Sequence, residues 1–191
     1  MTARRLTMLV ITAALTAACA DSVIVDTGES PPRTSATTPV PTARTDPNLV
    51  NAHDYYATAG DVEGYYFTTP SGKWSCAIRP RRQAGCQAAG AQSIGVSGAP
   101  DKVDGPDGTS VSPNAIAVGD EGGPGFVWVE APGFSLKTGK AMVLDFNTTL
   151  AAAGFRCNVQ DTGVSCENES TQQGFMFSAS EFVPRYSPVP G

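Results

Sequence analysis

Hydrophobic residues in this chain follow two regimes. From Leu6 to Ala18 they run on without a charge, whereas from residue 48 onward they come in short bursts cut by glycine, proline and polar pairs. Between the two, residues 26–47 (DTGESPPRTSATTPVPTARTDP) hold five prolines and six threonines, with Val40 as the one sizeable apolar side chain. Such a stretch buries too little surface to offset its ordering entropy and reads as an extended tether. In the second regime, Tyr65–Thr69 and Lys73–Ile78 are β-rich runs split by the turn Pro70-Ser71-Gly72. Phe126–Val129 and Ala141–Leu144 are the strongest candidates for buried strands, with turns at Pro132-Gly133 and Lys137-Thr138-Gly139 between them. Phe175–Phe177 reads as a final short strand.

Helical signals are few. Asp46-Pro47 offers an N-cap and a first-turn proline, with Leu49, Ala52 and Tyr56 near one face. Asn147–Ala153 fits two turns stopped by Gly154, and Ser178–Glu181 reads as a capping box for one turn ended by Pro184. The glycine- and proline-rich stretch 90–125 reads as long loops around weak strands. Residues 48–191 hold every Trp, Tyr and Phe, enough for one domain with a real core. Charged residues are only 16 %, which with abundant Gly and Pro favours short strands over a helical bundle.

The amino terminus is a different object. Arg4 and Arg5, an apolar stretch of about a dozen residues and small residues after it make a secretory signal peptide, too short for the ~20 residues of a bilayer span. Leu15-Thr16-Ala17-Ala18-Cys19 resembles the lipobox of bacterial lipoproteins, with Thr16 where Leu is more usual. The resemblance implies cleavage after Ala18 and a diacylglyceryl group, with palmitate-type chains, on the Cys19 sulfur. The organisation expected is therefore a signal peptide (1–18), a lipid-anchored tether (19–47) and one β-rich domain (48–191). Loss of Arg4 and Arg5 with the leader leaves 11 basic against 18 acidic residues, a formal charge of −7. That balance argues against a nucleic-acid partner and makes the membrane link covalent, at the extracytoplasmic face of the cell membrane.

Four cysteines remain, in a compartment where disulfides persist. In CNVQDTGVSC a short loop sets Val159 opposite Val164 and Cys157 opposite Cys166; in CAIRPRRQAGC the loop Arg79–Gln83 sets Cys76 opposite Cys86. Two local disulfides are expected, with crosswise pairing the competitor; the CxxC spacing of a four-cysteine zinc site is absent. The hairpins GKWSCAIRPRRQAGCQ and GFRCNVQDTGVSCEN also look alike, as a duplication or as disulfide hairpins generally do. The fold expected is mainly β: a small antiparallel domain with two disulfide-bridged hairpins and one or two short helices.

FTTPSGKWSCAI with AGCQ, and LAAAGFRCNVQDTGVSCENESTQQGFMFS, are similar to the PSGN-x-x-C opening and Gly-Val-x-Cys-x-Asn closing patterns of a group of actinobacterial secreted proteins and lipoproteins. Lys73 stands where that group has Asn, and residues 90–125 have no counterpart. The group has no established activity, so the resemblance implies fold and location alone.

Catalytic signals are sparse. His53, the one histidine, sits at the domain edge and reads as solvent-facing. Lys137-Thr138-Gly139 matches a motif of penicillin-interacting enzymes, but their Ser-x-x-Lys is missing, so a turn explains it better. Asp101, Asp104 and Asp107 lack EF-hand spacing and read as turn residues, so neither metal nor cofactor is expected. Arg79, Arg81 and Arg82 form the one concentrated basic patch, a contact loop for an envelope polymer, lipid headgroups or a protein, or simply a solvated tip. The function expected is a non-catalytic binding module displayed on the envelope, with loops 79–83 and 90–125 as contact surfaces. The alternatives are a cell-wall enzyme using carboxylates such as Asp54, Asp61 or Glu63, and a structural envelope protein.

Overall fold

Alternation with period two builds this domain. Along Trp74–Arg79, Cys76 and Ile78 face one way and Ala77 and Arg79 the other, so a strand of small residues can be buried on both faces. The computed structural model describes residues 47–90 and 93–190, which belong to one compact unit. The strands are β1 (Tyr56–Ala59), β2 (Val62–Thr68), β3 (Trp74–Arg79), β4 (Gln83–Ala88), β5 (Val103–Asp104), β6 (Ser110–Val111) and β7 (Ala115–Gly119). They continue with β8 (Gly125–Val127), β9 (Met142–Val143), β10 (Thr148–Ala152), β11 (Phe155–Gln160), β12 (Gly163–Asn168), β13 (Gln173–Phe177) and β14 (Phe182–Val183). Short 3₁₀ turns at Ala52–Tyr55 and Pro106–Gly108 are the helical elements among the described residues.

Sheet one runs β1-β2-β3-β4-β7-β8, antiparallel throughout, with β9 alongside β2 as its single parallel pair. Sheet two is the meander β10-β11-β12-β13-β14. They pack face to face: Phe67, Ile78, Ile116 and Val118 from the first join Leu150, Phe155, Phe175 and Phe177 from the second in one buried cluster. Both disulfides, Cys76–Cys86 and Cys157–Cys166, are fully buried in that cluster, each between directly opposed residues of a hairpin. The local pairing expected from loop length is the one observed.

The likeness of the two hairpins extends to their sheets. β2-β3-β4-β7-β8 and β10-β11-β12-β13-β14 share an antiparallel five-strand order, each stapled between its second and third strands, with the β5–β6 hairpin inserted between β4 and β7 of the first. After each fifth strand the chain folds back over the outer face of its own sheet. On sheet one, Phe134 is buried with Tyr66, Ala77, Ala115 and Ala117, while its backbone N–H donates to Gln87 Oε1 at 2.7 Å. On sheet two the face is polar: buried Asn158 Nδ2 donates to Tyr186 Oη and to the Ser187 carbonyl, both at 2.9 Å. Ser187 N–H donates to the buried Ser165 Oγ at 2.8 Å, which itself donates to the Phe175 carbonyl at 2.7 Å. The buried Asn158 and Ser165 side chains thus find partners, as buried polar groups generally do.

The hairpins pack tip against base. Trp74, at the open end of the first, meets Phe177 edge-on at 4.8 Å, beside the tip of the second, where Phe177 pairs with Val164. Asn168, at the open end of the second, donates to the Gly119 carbonyl at 3.1 Å, and Gly119 pairs with Gln83 at the tip of the first.

Several local expectations are corrected. The stretch 147–153 holds β10 (Thr148–Ala152) instead of two helical turns: Leu150 must enter the core and Thr149 pairs with Asn158, and Ala153-Gly154, both at positive φ, make a hairpin turn in place of a helix stop. Leu49 is extended, bridging to Thr149, and the one short helical turn there, Ala52–Tyr55, is capped by Asn51; Asp46 lies outside the described residues. Ser178–Glu181 is the turn into β14, closed by Ser178 N–H to the Glu181 carbonyl. Phe126–Val129 and Ala141–Leu144 yield only the half-buried edge strand β8 and the two-residue β9, whereas Ala115–Gly119, inside the stretch read as loops, is a central buried strand.

Candidate functional site

The tip of the first hairpin projects guanidinium groups because its last strand pair, Arg79 with Gln83, leaves Pro80, Arg81 and Arg82 to make the turn. Arg82 N–H donates to the Arg79 carbonyl at 3.2 Å, and Arg81 closes the reversal at φ +55°. The tip is pinned to the end of β7, where Asp120 N–H donates to the Arg82 carbonyl at 3.0 Å.

Two open depressions meet there. One, of about 430 Å³, is lined by Arg81, Arg82, Gln83, Gly119, Asp120 and Glu121. The other, of about 630 Å³, runs from Gln83 past Lys102 and Asp104 to Phe126 and Trp128. Gln83 borders both, so segments from the two loops expected as contact surfaces, 79–83 and 90–125, lie side by side.

Arg79 departs from its neighbours. It lies on the outer face of sheet one near Tyr66, its Nε buried without a hydrogen-bond partner. Burial pushes its pKa down, Tyr66 opposes that shift, and the positive charge of Arg82 adds to it. Among the described residues the ion pairs are those of Arg156, with Glu167 at 3.6 Å and Glu169 at 2.7 Å. Arg81 and Arg82 are exposed with no carboxylate within ion-pair distance among the described residues, although Asp120 and Glu121 line the same depression.

The other candidates are scattered. Asp54, Asp61 and Glu63 are all exposed, on the first 3₁₀ turn, the β1–β2 turn and β2, and Glu63 sits against the Tyr56 hydroxyl, whose pKa that hydrogen bond raises. His53 is exposed beside Ala52, Tyr56 and Tyr65. Asp101, Asp104 and Asp107 do not converge: no group of three or more His, Cys, Asp or Glu able to hold a metal occurs among the described residues. Lys137-Thr138-Gly139 is an exposed bend. Cys19 and the tether lie outside the described residues. Sequence reasoning placed Trp128 in a buried strand on the strength of its apolar neighbours Val127 and Val129 and so passed it over as a surface residue; the Glu130, Pro132 and Gly133 that follow mark it as leaving the sheet. Compared with protein families, curated proteins and solved structures, the chain matches none.

Proposed function

We propose that this chain is an envelope lipoprotein, of the secreted actinobacterial kind its cysteine-hairpin motifs resemble, anchored through lipid on Cys19. Its domain is a non-catalytic binding module displayed outside the cytoplasmic membrane. The contact surface is the basic tip of the first hairpin with the depressions on either side of Gln83, and it takes a phosphate-bearing envelope polymer or headgroup. The observation that carries this reading is the exposed pair Arg81 and Arg82, neither in an ion pair among the described residues, held beside a depression whose far edge carries Asp120 and Glu121. Guanidinium forks suit phosphate oxygens, and exposed pairs of this kind are screened by salt.

The test has two arms. The Cys19→Ser chain should lose incorporation of radiolabelled palmitate in cells. In solution, that unlipidated chain should sediment with phosphatidylglycerol vesicles or bind soluble polyphosphate, weakening as salt rises and after Arg81→Ala/Arg82→Ala. Preference for one probe over the other distinguishes headgroup from polymer. Binding unchanged by both salt and the double substitution would sink the basic tip as the contact.

A further inference from the structure

The opposite end of β3 carries a second cleft of different chemistry. Six residues of strand separate the two ends, about 20 Å at the rise of a β-strand. Here the tip of the second hairpin faces the Pro70-Ser71-Gly72 turn, enclosing about 240 Å³. The floor is apolar: the half-buried Trp74 braced on Phe177, with buried Val159 and Val164. Phe146 forms one wall and is 52 % exposed, whereas the domain's other phenylalanines are buried or half-buried. The rim carries Ser71, Thr162 and Ser178 hydroxyls with Lys73 on one side and Asp161 on the other. Two of those hydroxyls are held in place, Ser71 Oγ against Thr69 Oγ1 at 3.2 Å and Ser178 Oγ against Ser180 Oγ at 3.0 Å. Neither Lys73 nor Asp161 has an ion-pair partner among the described residues.

This combination discriminates among occupants. The volume is below the ~300–1,000 Å³ of a drug-sized site, so it admits one ring or a chain end. An acyl chain or leucine-like side chain would strip water from Lys73 and Asp161 and return no hydrogen bond. A phosphate would satisfy Lys73 and be repelled by Asp161. A neutral sugar ring has an apolar C–H face for Trp74 and Phe146, and hydroxyls that both donate to Asp161 and accept from Lys73. We infer that this cleft is a saccharide subsite taking one neutral hexopyranose residue. It is independent of the arginine surface at the far end and stands whether or not that surface binds phosphate.

The experiment titrates the ¹⁵N-labelled chain from residue 19, carrying Cys19→Ser, with methyl α-D-mannopyranoside, methyl β-D-galactopyranoside and methyl N-acetyl-β-D-glucosaminide. At least one glycoside should produce saturable shifts in the Trp74 indole N–H and the amides of Lys73, Thr162 and Ser178, leaving Trp128 unmoved. Phe146→Ala, at an exposed position where folding is not at stake, should weaken binding about tenfold, as should Lys73→Ala. Arg81→Ala/Arg82→Ala should leave the titration unchanged, which separates failure here from failure of the basic tip. No saturable shift with any of the three glycosides, shifts confined to other surfaces, or equal affinity for cyclohexanol would overturn the assignment.

Discussion

At the scale of single residues, the two faces of sheet one are decided by what is missing. Gly85 sits on β4 with its outward face directly under Phe134, and a Cβ there would stand 2.5 Å from both the Ile116 carbonyl oxygen and the Phe134 ring. The strand's φ is ordinary, so the need for glycine is one of space, set by an aromatic side chain that seals the outer face. Gly85→Ala should therefore cost about 1–3 kcal/mol, the usual range for overpacking. A urea titration would read it as a lower midpoint with an unchanged slope. A midpoint equal to wild type would mean that Phe134 does not occupy that hole. Gly163 on β12 is constrained differently, with φ +147° and Phe177 backbone in the way of any side chain, so both hairpins have a position where the neighbouring strand excludes a Cβ.

At the scale of elements, legibility followed local signal. The disulfide hairpins were readable because loop length fixes which residues oppose one another, and Cys76–Cys86 and Cys157–Cys166 follow from counting. β7 was missed because Ala115-Ile-Ala-Val-Gly119 is flanked by turn residues and buried on both faces by small side chains, which leaves no alternation to detect. β10 was misread because Thr-Thr-Leu-Ala-Ala suits a helix or strand equally until Leu150 is needed in the core. Of the candidate site, the basic tip was visible in RPRR, but its partners across Gln83 and the cleft at Trp74 exist only once distant strands meet. The same holds for the C-terminal segment over Asn158 and Ser165, which no local pattern announces. That strap carries a pH signature. Burial raises the Tyr186 phenol above its ordinary value of 10.0, and the Asn158 hydrogen bond only partly opposes this. A phenol raised on folding keeps its proton in the native state while the unfolded chain loses it, so stability is whole below pH 10 and declines above it. Tyr55 and Tyr66, also raised chiefly by burial, shift in the same direction. Melting temperatures should fall as pH rises past 10, and Tyr186→Phe should flatten part of that slope. An unchanged slope in the variant would place the strap's tyrosine in water.

At the scale of the whole molecule, the question is whether two sheets of like strand order make two folding units or one. Each sheet has its own staple and its own outer covering, which would suit independent halves. Yet the apolar faces of both are spent on one shared core: Ile78, Cys86 and Ile116 lie in a single buried cluster with Cys157, Cys166 and Phe175. A lone sheet with one face stripped would expose that whole surface to water, at about 25 cal/mol per Å². The sheets should therefore unfold together. Cys157→Ala/Cys166→Ala opens a loop of sequence separation 9 in sheet two and should cost about 3 kcal/mol. In a two-state domain that loss is felt everywhere. Amide exchange should then accelerate in β3, β4 and β7 by the same factor as in β11 and β12, about 150-fold at 1.4 kcal/mol per decade. Acceleration confined to β10–β14 would reveal a first sheet that stands alone, and with it a fold made of two units instead of one shared core.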